Sequence, residues 1–234
     1  MNSVVFRLLL SVLVIVSLMT SPGCRRFKSI NDEGIESFIE DAGEGYKTIT
    51  VITEQYSFSF EYSTFYEKVG PEVIDPEFTI PDTFVSFRAP ETQVKLIAPS
   101  GKDDIKTVTT SFIPAHIAVH IYDPTFNGQS PSYNSTDRMN KHLEGESGHD
   151  NFKLIDRKLI TVAGIEADYA KWEVGWFNLF AEKSDEPPLE YRWNVYFDYK
   201  GLIWWIKALS SGPEYRDRID ADFEHILETF KILD

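Results

Sequence analysis

Two histidines four residues apart, His116 and His120, are the first residues whose type and spacing bear on chemistry. On a helix that spacing would chelate a metal. Here Pro114 opposes a helix, and Ile113, Ala115, Ile117, Val119 and Ile121 alternate with His116, Ala118, His120 and Tyr122, the pattern of a strand. Four strand residues span about 13 Å, too far for one tetrahedral ion with ligand bonds near about 2 Å. The pair therefore reads as structural or surface histidines. His142, His149 and His225 show no ligand-like clustering. Among the acids, Asp103-Asp104 reads as a turn after Ser100-Gly101-Lys102. Glu182, Asp185, Glu186 and Glu190 offer the oxygen ligands that calcium takes, but without a twelve-residue loop pattern they read as a solvated acidic loop. Ser210-Ser211-Gly212 lacks a G-x-S-x-G context, and neither a G-x-G-x-x-G nor a P-loop is present. No catalytic residue, metal or cofactor is expected.

The single cysteine, Cys24, excludes an intrachain disulfide and a thiolate metal cluster. Its surroundings give it another use. Residues 1–7 carry one positive charge and no acid, and Leu8 to Met19 is almost continuously apolar. That run is shorter than the about twenty residues a spanning helix needs and matches a signal-peptide core. Thr20-Ser21-Pro22-Gly23 then leads to Cys24. The segment resembles the bacterial lipobox, with Ser21 standing where the pattern usually has leucine. The resemblance implies cleavage after residue 23 and diacylation of Cys24, and two acyl chains give stable membrane attachment. Arg25, Arg26 and Lys28 follow directly and are expected to face lipid headgroups, each basic residue adding about 1 kcal/mol near an anionic surface. The alternative is an uncleaved anchor with Cys24 an ordinary thiol and the basic triplet a solvated linker.

The chain has 234 residues, 42% of them hydrophobic and 14% aromatic, enough for a sizeable packed core and against intrinsic disorder. Its formal charge of −14 argues against nucleic acid, whose binding relies on clustered Lys and Arg. The expected organisation is a signal peptide at 1–23, a lipidated tether at 24–45 and one domain at 46–234.

The elements that must position these residues follow from periodicity. Within 25–45, Ile35, Phe38 and Ile39 have helical spacing, which Gly34, Gly43 and Gly45 keep short. From Tyr46 the period becomes two, and Tyr56, Phe58, Phe60 and Tyr62 alternate with Ser57, Ser59 and Glu61. The proline-rich stretch 66–92 predicts irregular structure with one short strand near 83–87. Strands are predicted at 93–98, 106–112, 115–122, 152–162, 165–174, 190–199 and 202–209, with hairpin turns at Ala163-Gly164 and Lys200-Gly201. Ser135 is read as the cap of a short helix through Met139 and Leu143. Pro213 suits the start of a second helix, whose Ile219, Phe223, Ile226, Leu227 and Phe230 share one face. Residues 202–209 are apolar on both sides, so the sheet must be covered on both faces.

This order of elements resembles the PsbP-like fold. The likeness rests on Tyr56-Ser57-Phe58-Ser59-Phe60, Ile121-Tyr122-Asp123, Val162-Ala163-Gly164-Ile165-Glu166-Ala167, Phe197-Asp198-Tyr199-Lys200-Gly201-Leu202-Ile203-Trp204 and the closing Phe223–Phe230 helix, and covers about residues 46 to 234. It implies an α+β fold in which a central antiparallel β-sheet is covered by helices on both faces, an α/β/α sandwich, and a non-catalytic adaptor or binding role. No metal ligands of the photosynthetic members carry over.

One surface candidate remains. Trp176-Phe177-Asn178-Leu179-Phe180 runs past a strand end into the acidic loop, and Trp176, Phe177 and Phe180 form a candidate partner patch, since aromatic residues are enriched at interface cores. The other reading is that Trp172, Val174, Trp176 and Phe180 continue a buried strand face. Three function classes follow: a membrane-anchored, non-enzymatic binding or assembly module of the cell envelope with an envelope protein as partner; an envelope-directed hydrolase using paired carboxylates; and a structural spacer.

Overall fold

In a computed structural model the described residues are 27–30, 36–53, 55–69, 85–90, 92–100, 104–112, 114–122, 124, 133–149, 151–175 and 189–233. Their strands are β1 (Phe27–Ile30), β2 (Glu36–Gly43), β3 (Tyr46–Ile52), β4 (Ser57–Ser63), β5 (Glu67–Val69), β6 (Val85–Arg88), β7 (Thr92–Ser100), β8 (Asp104–Phe112), β9 (Ala115–Tyr122), β10 (Lys153–Val162), β11 (Ile165–Gly175), β12 (Leu189–Tyr199), β13 (Leu202–Ser211) and β14 (Lys231–Leu233). The helices are α1 (Ser135–Glu146) and α2 (Arg216–Thr229), the latter entered through a single 3-10 turn at Pro213–Tyr215. The fold is α+β.

Antiparallel pairing organises the strands into three sheets. A seven-stranded sheet runs β10-β11-β12-β13-β9-β6-β5, a five-stranded sheet runs β1-β2-β3-β4-β14, and β7 pairs with β8 alone. Two of the large sheet's hairpins turn on two residues with positive φ, Ala163-Gly164 at 52° and 80° and Lys200-Gly201 at 52° and 78°. Paired left-handed residues give the turn twist that suits flanking strands, and glycine takes the second position without steric cost.

Alternation sends each strand of the large sheet into two cores. On one face Trp193, Val195 and Phe197 of β12 and Trp204 and Ile206 of β13 pack with Ile49, Val51, Phe58 and Phe60 of the small sheet and Ile219, Phe223 and Ile226 of α2. On the other face Ala170, Trp172, Val174, Tyr196 and Ile203 close against Met139 of α1. Each buried large side chain contributes about 1.5–3 kcal/mol by leaving water. The first core is an aromatic stack: the Phe230 ring lies 5.6 Å from Phe58 and 5.8 Å from Phe60, with Trp204 edge-on to Phe58 at 5.5 Å.

Both faces are covered, as the two-sided strands require, but not by the expected pair of helical layers. α1 covers one face, whereas the five-stranded sheet, with α2 beside it, covers the other. The aromatic period-two run of β4 explains this, because its phenylalanine face needs an apolar surface as broad as itself and finds it in β12 and β13. Glu36–Gly43, whose spacing predicts part of a short helix, is instead strand β2, paired along its length with β3. The Glu36–Ile52 to Gly43–Tyr46 register satisfies its backbone in a way that outweighs weak local periodicity. Asn134, not Ser135, caps α1: its side chain accepts from the Asp137 backbone while Asp137 reaches back to Asn134. Ser135 instead donates to Asp198 of β12 at 2.7 Å.

Candidate functional site

Cys24, Arg25, Arg26, Trp176, Phe177 and Phe180 lie outside the described residues, as do the predicted signal segment and most of the acidic loop. Lys28 lies in β1, in register with Phe38 of β2. Trp172 and Val174, which lead toward the aromatic patch, are buried in the core beneath α1.

The two histidines share one face of β9, each in its own setting. His116 Nε2 lies 2.7 Å from the Ser86 hydroxyl. His120 stacks on the Trp205 indole with ring centroids 4.6 Å apart. Burial, reinforced by the Lys207 charge, pushes His116 down to about 3 and His120 down to about 2, so both rings are neutral at neutral pH. Lys207 lies over Trp205 at 4.5 Å and is itself lowered by burial to about 8. Among the described residues, no group of three or more His, Cys, Asp or Glu side chains is placed to hold a metal ion.

Two acids converge that the sequence did not bring together: Glu146 was not singled out, and Glu190, expected in the solvated acidic loop, is a buried residue of β12. Glu146, at the end of α1, and Glu190, at the start of β12, both bond to Arg192. Arg192 alternates onto the α1 side of β12, so a helix end, a strand and a second acid two residues away meet at one guanidinium. The hydrogen bond with His142 and the charge of Arg192 hold Glu146 below the usual carboxylate range, against the opposing effect of burial. His142 also bonds to the Tyr196 hydroxyl through Nδ1 at 2.9 Å. A carboxylate clamped this way stays ionised, which is the reverse of what a general acid near neutral pH needs. The separation of Glu146 from Glu190 and Arg192 in sequence gave no local signal.

A second polar cluster ties α2 to the opposite face. Asp220 accepts from Lys171 Nζ and from Trp193 Nε1. Tyr66 donates to Asp222 at 2.9 Å, and burial raises the Asp222 carboxyl and the Tyr66 phenol alike.

β10 is largely exposed. It ends the seven-stranded sheet, so among the described strands only β11 pairs with it. Of its ten residues only Val162 is buried. Leu154, Ile155 and Leu159 are 44%, 37% and 63% exposed, and they make up three of the five large hydrophobic side chains exposed among the described residues. Lys153 pairs with Glu173, Arg157 with Asp168 and Lys158 with Asp156. The pairing with β11 slips between Leu154 and Asp156.

No known protein family matches the sequence, and no curated protein matches it. Solved structures similar to the chain include CyanoP, the cyanobacterial PsbP of Synechocystis sp. PCC 6803, at 13% identity and TM-score 0.42, covering 88% of this chain and 96% of that one. They also include LpqN of Mycobacterium tuberculosis, involved in cell envelope biogenesis, at 10% identity and TM-score 0.35, covering 94% and 97%. The T6SS immunity protein TplEi of Pseudomonas aeruginosa is similar at 7% identity and TM-score 0.36, covering 96% and 83%.

Proposed function

We propose that this protein is a lipid-anchored extracytoplasmic component of the cell envelope that works as a non-catalytic binding or assembly module. The observation that carries the binding role is β10, a long strand at a sheet edge whose outward backbone groups and exposed leucine and isoleucine side chains suit recognition by strand addition. The anchor half of the reading comes from the apolar segment ending at Cys24, with Arg25, Arg26 and Lys28 as its headgroup-facing tether. Among the described residues no helix is long and apolar enough to cross a membrane. The hydrolase reading needs two acids facing each other with raised pKa values, whereas Glu146 and Glu190 face a common arginine and Glu146 is lowered.

Acyl labelling in a bacterial host tests the anchor. The intact chain incorporates fatty acid and stays with the membrane, and Cys24→Ala loses both; unchanged labelling in the variant rejects the anchor. A photo-crosslinking residue at Leu159 tests the contact surface by trapping a protein in intact cells. Trp176, Phe177 and Phe180 are proposed as a second contact. Alanine at Trp176 and Phe177 distinguishes the roles, since normal stability with loss of a co-purifying protein means an interface and a large loss of melting temperature means core.

A further inference from the structure

We propose that β10 is a homotypic contact: two copies of this protein pair their β10 strands antiparallel about a twofold axis at Arg157, joining their seven-stranded sheets. The proposal rests on the reading of this edge as a contact surface and not on the lipid anchor.

Edge strands invite unwanted pairing, and proteins commonly keep them short, bulged or charged. Among the described residues, the other three ends of the two large sheets span four residues in β1 and three each in β5 and β14. Against these, β10 runs for ten residues, and although it is bulged at Ile155 and charged at its centre, the stretch from Asp156 to Val162 is regular. Its exposed apolar side chains also contribute little to the chain's own core, so folding alone does not account for them.

The sequence of β10 selects the occupant. With Arg157 on the axis, Asp156 of each copy lies opposite Lys158 of the other and Ile155 opposite Leu159, where the bulge at Ile155 ends the regular pairing. Residues directly opposite on one sheet face interact most strongly, and opposite charges there are favourable. The axis places Arg157 next to its own copy, but each guanidinium is already held by Asp168 at 2.7 Å and by Asn140 at 2.8 Å. Charge favours this edge for a further reason. A molecule of net charge −14 repels its copies over most of its surface, whereas β10 carries three bases and one acid. A second copy meets less repulsion there, and the register sets the Asp156–Lys158 pair of each copy against that of the other in opposite order.

Sedimentation velocity on the full chain in mild detergent tests this over a concentration series. The wild type is expected to dimerise. Asp156→Lys and Lys158→Asp each set like charges opposite one another and should weaken dimerisation about tenfold or more. An equimolar mixture of the two variants should recover it, because each lysine pair then meets an aspartate pair. Thermal melting of each variant confirms that it is folded. A monomeric wild type, single variants that dimerise like the wild type, or a mixture that fails to recover would each overturn the proposal. The crosslinker at Leu159 separates its failure from that of the contact-surface reading: a monomer that traps a different envelope protein overturns self-pairing alone, and a monomer that traps nothing overturns both.

Discussion

Lys171 and Asp220, 49 residues apart in sequence, meet as a hydrogen-bonded ion pair with Nζ 2.7 Å from Oδ1 and 2.5 Å from Oδ2, and fix α2 to β11. The lysine is buried and lies over the Trp193 ring at 4.9 Å, while the indole N–H donates to the same carboxylate. One acid thus satisfies a buried cation and a buried donor.

Replacing that acid should therefore cost more than a surface pair would. Asp220→Ala is expected to lower stability by about 2 kcal/mol in urea unfolding, less than the about 3–5 kcal/mol of a fully buried pair, because Asp220 keeps access to water. Asp220→Asn keeps an acceptor for Trp193 and should cost less. Adding Lys171→Met to Asp220→Ala removes the stranded cation, so the double variant should lose less than the sum of the single changes. Additive losses would mean the two residues do not act as a unit.

Arg192 holds two carboxylates at once, and both are largely buried. Arg192→Ala removes the cation that Glu146 and Glu190 share, and is expected to cost about 3 kcal/mol at neutral pH. Arg192→Ala combined with Glu190→Gln should recover part of that loss. If Arg192→Ala unfolds at the wild-type urea concentration, the clamp is not a structural element.

Acid should destabilise the fold before its carboxylates titrate. His116 and His120 remain neutral in the folded state down to about 3 and about 2, whereas in the unfolded chain they take up protons below about 6.5. The unfolded state then binds more protons, so stability falls as pH falls, by up to about 1.4 kcal/mol per pH unit for each histidine. Glu146, held low in the folded state, adds a loss of the same sign once pH drops below about 4.3, the ordinary glutamate value. Urea midpoints measured from pH 7 to pH 4 should decline in the wild type and stay flatter in His120→Phe. Parallel curves would show that His120 is not held neutral.

The hairpins and both helices were legible because their signals are local. Ala163-Gly164 and Lys200-Gly201 need only two adjacent residues to declare a turn, and the apolar stripe from Ile219 to Ile226 needs only its own spacing. The boundary of α1 shifted by one residue because Ser135 and Asn134 are both good caps, and Asp198, far along the chain, takes the serine. β2 was illegible for the same kind of reason: its partner β3, rather than its own pattern, decides its conformation. The Glu146–Arg192–Glu190 cluster combines residues from α1 and β12, and nothing in either segment announces the other. The strand that carries His116 and His120 was readable from its alternation, while Ser86 and Trp205 as neighbours required the sheet order.

The small sheet carries a consequence for how the protein forms. β14 pairs with β4 so that Ile232 faces Phe58, and the Thr229 hydroxyl accepts from the Glu61 backbone across 168 residues. A ribosome delivers β4 long before β14 exists, so the edge that β14 covers stays open through most of synthesis. Long-range closures of this kind slow folding, since the entropy of ordering a long loop is lost before its contacts are gained. The aromatic stack around Phe230 therefore closes late, and until it does Phe58 and Phe60 lack the ring that lies beside both.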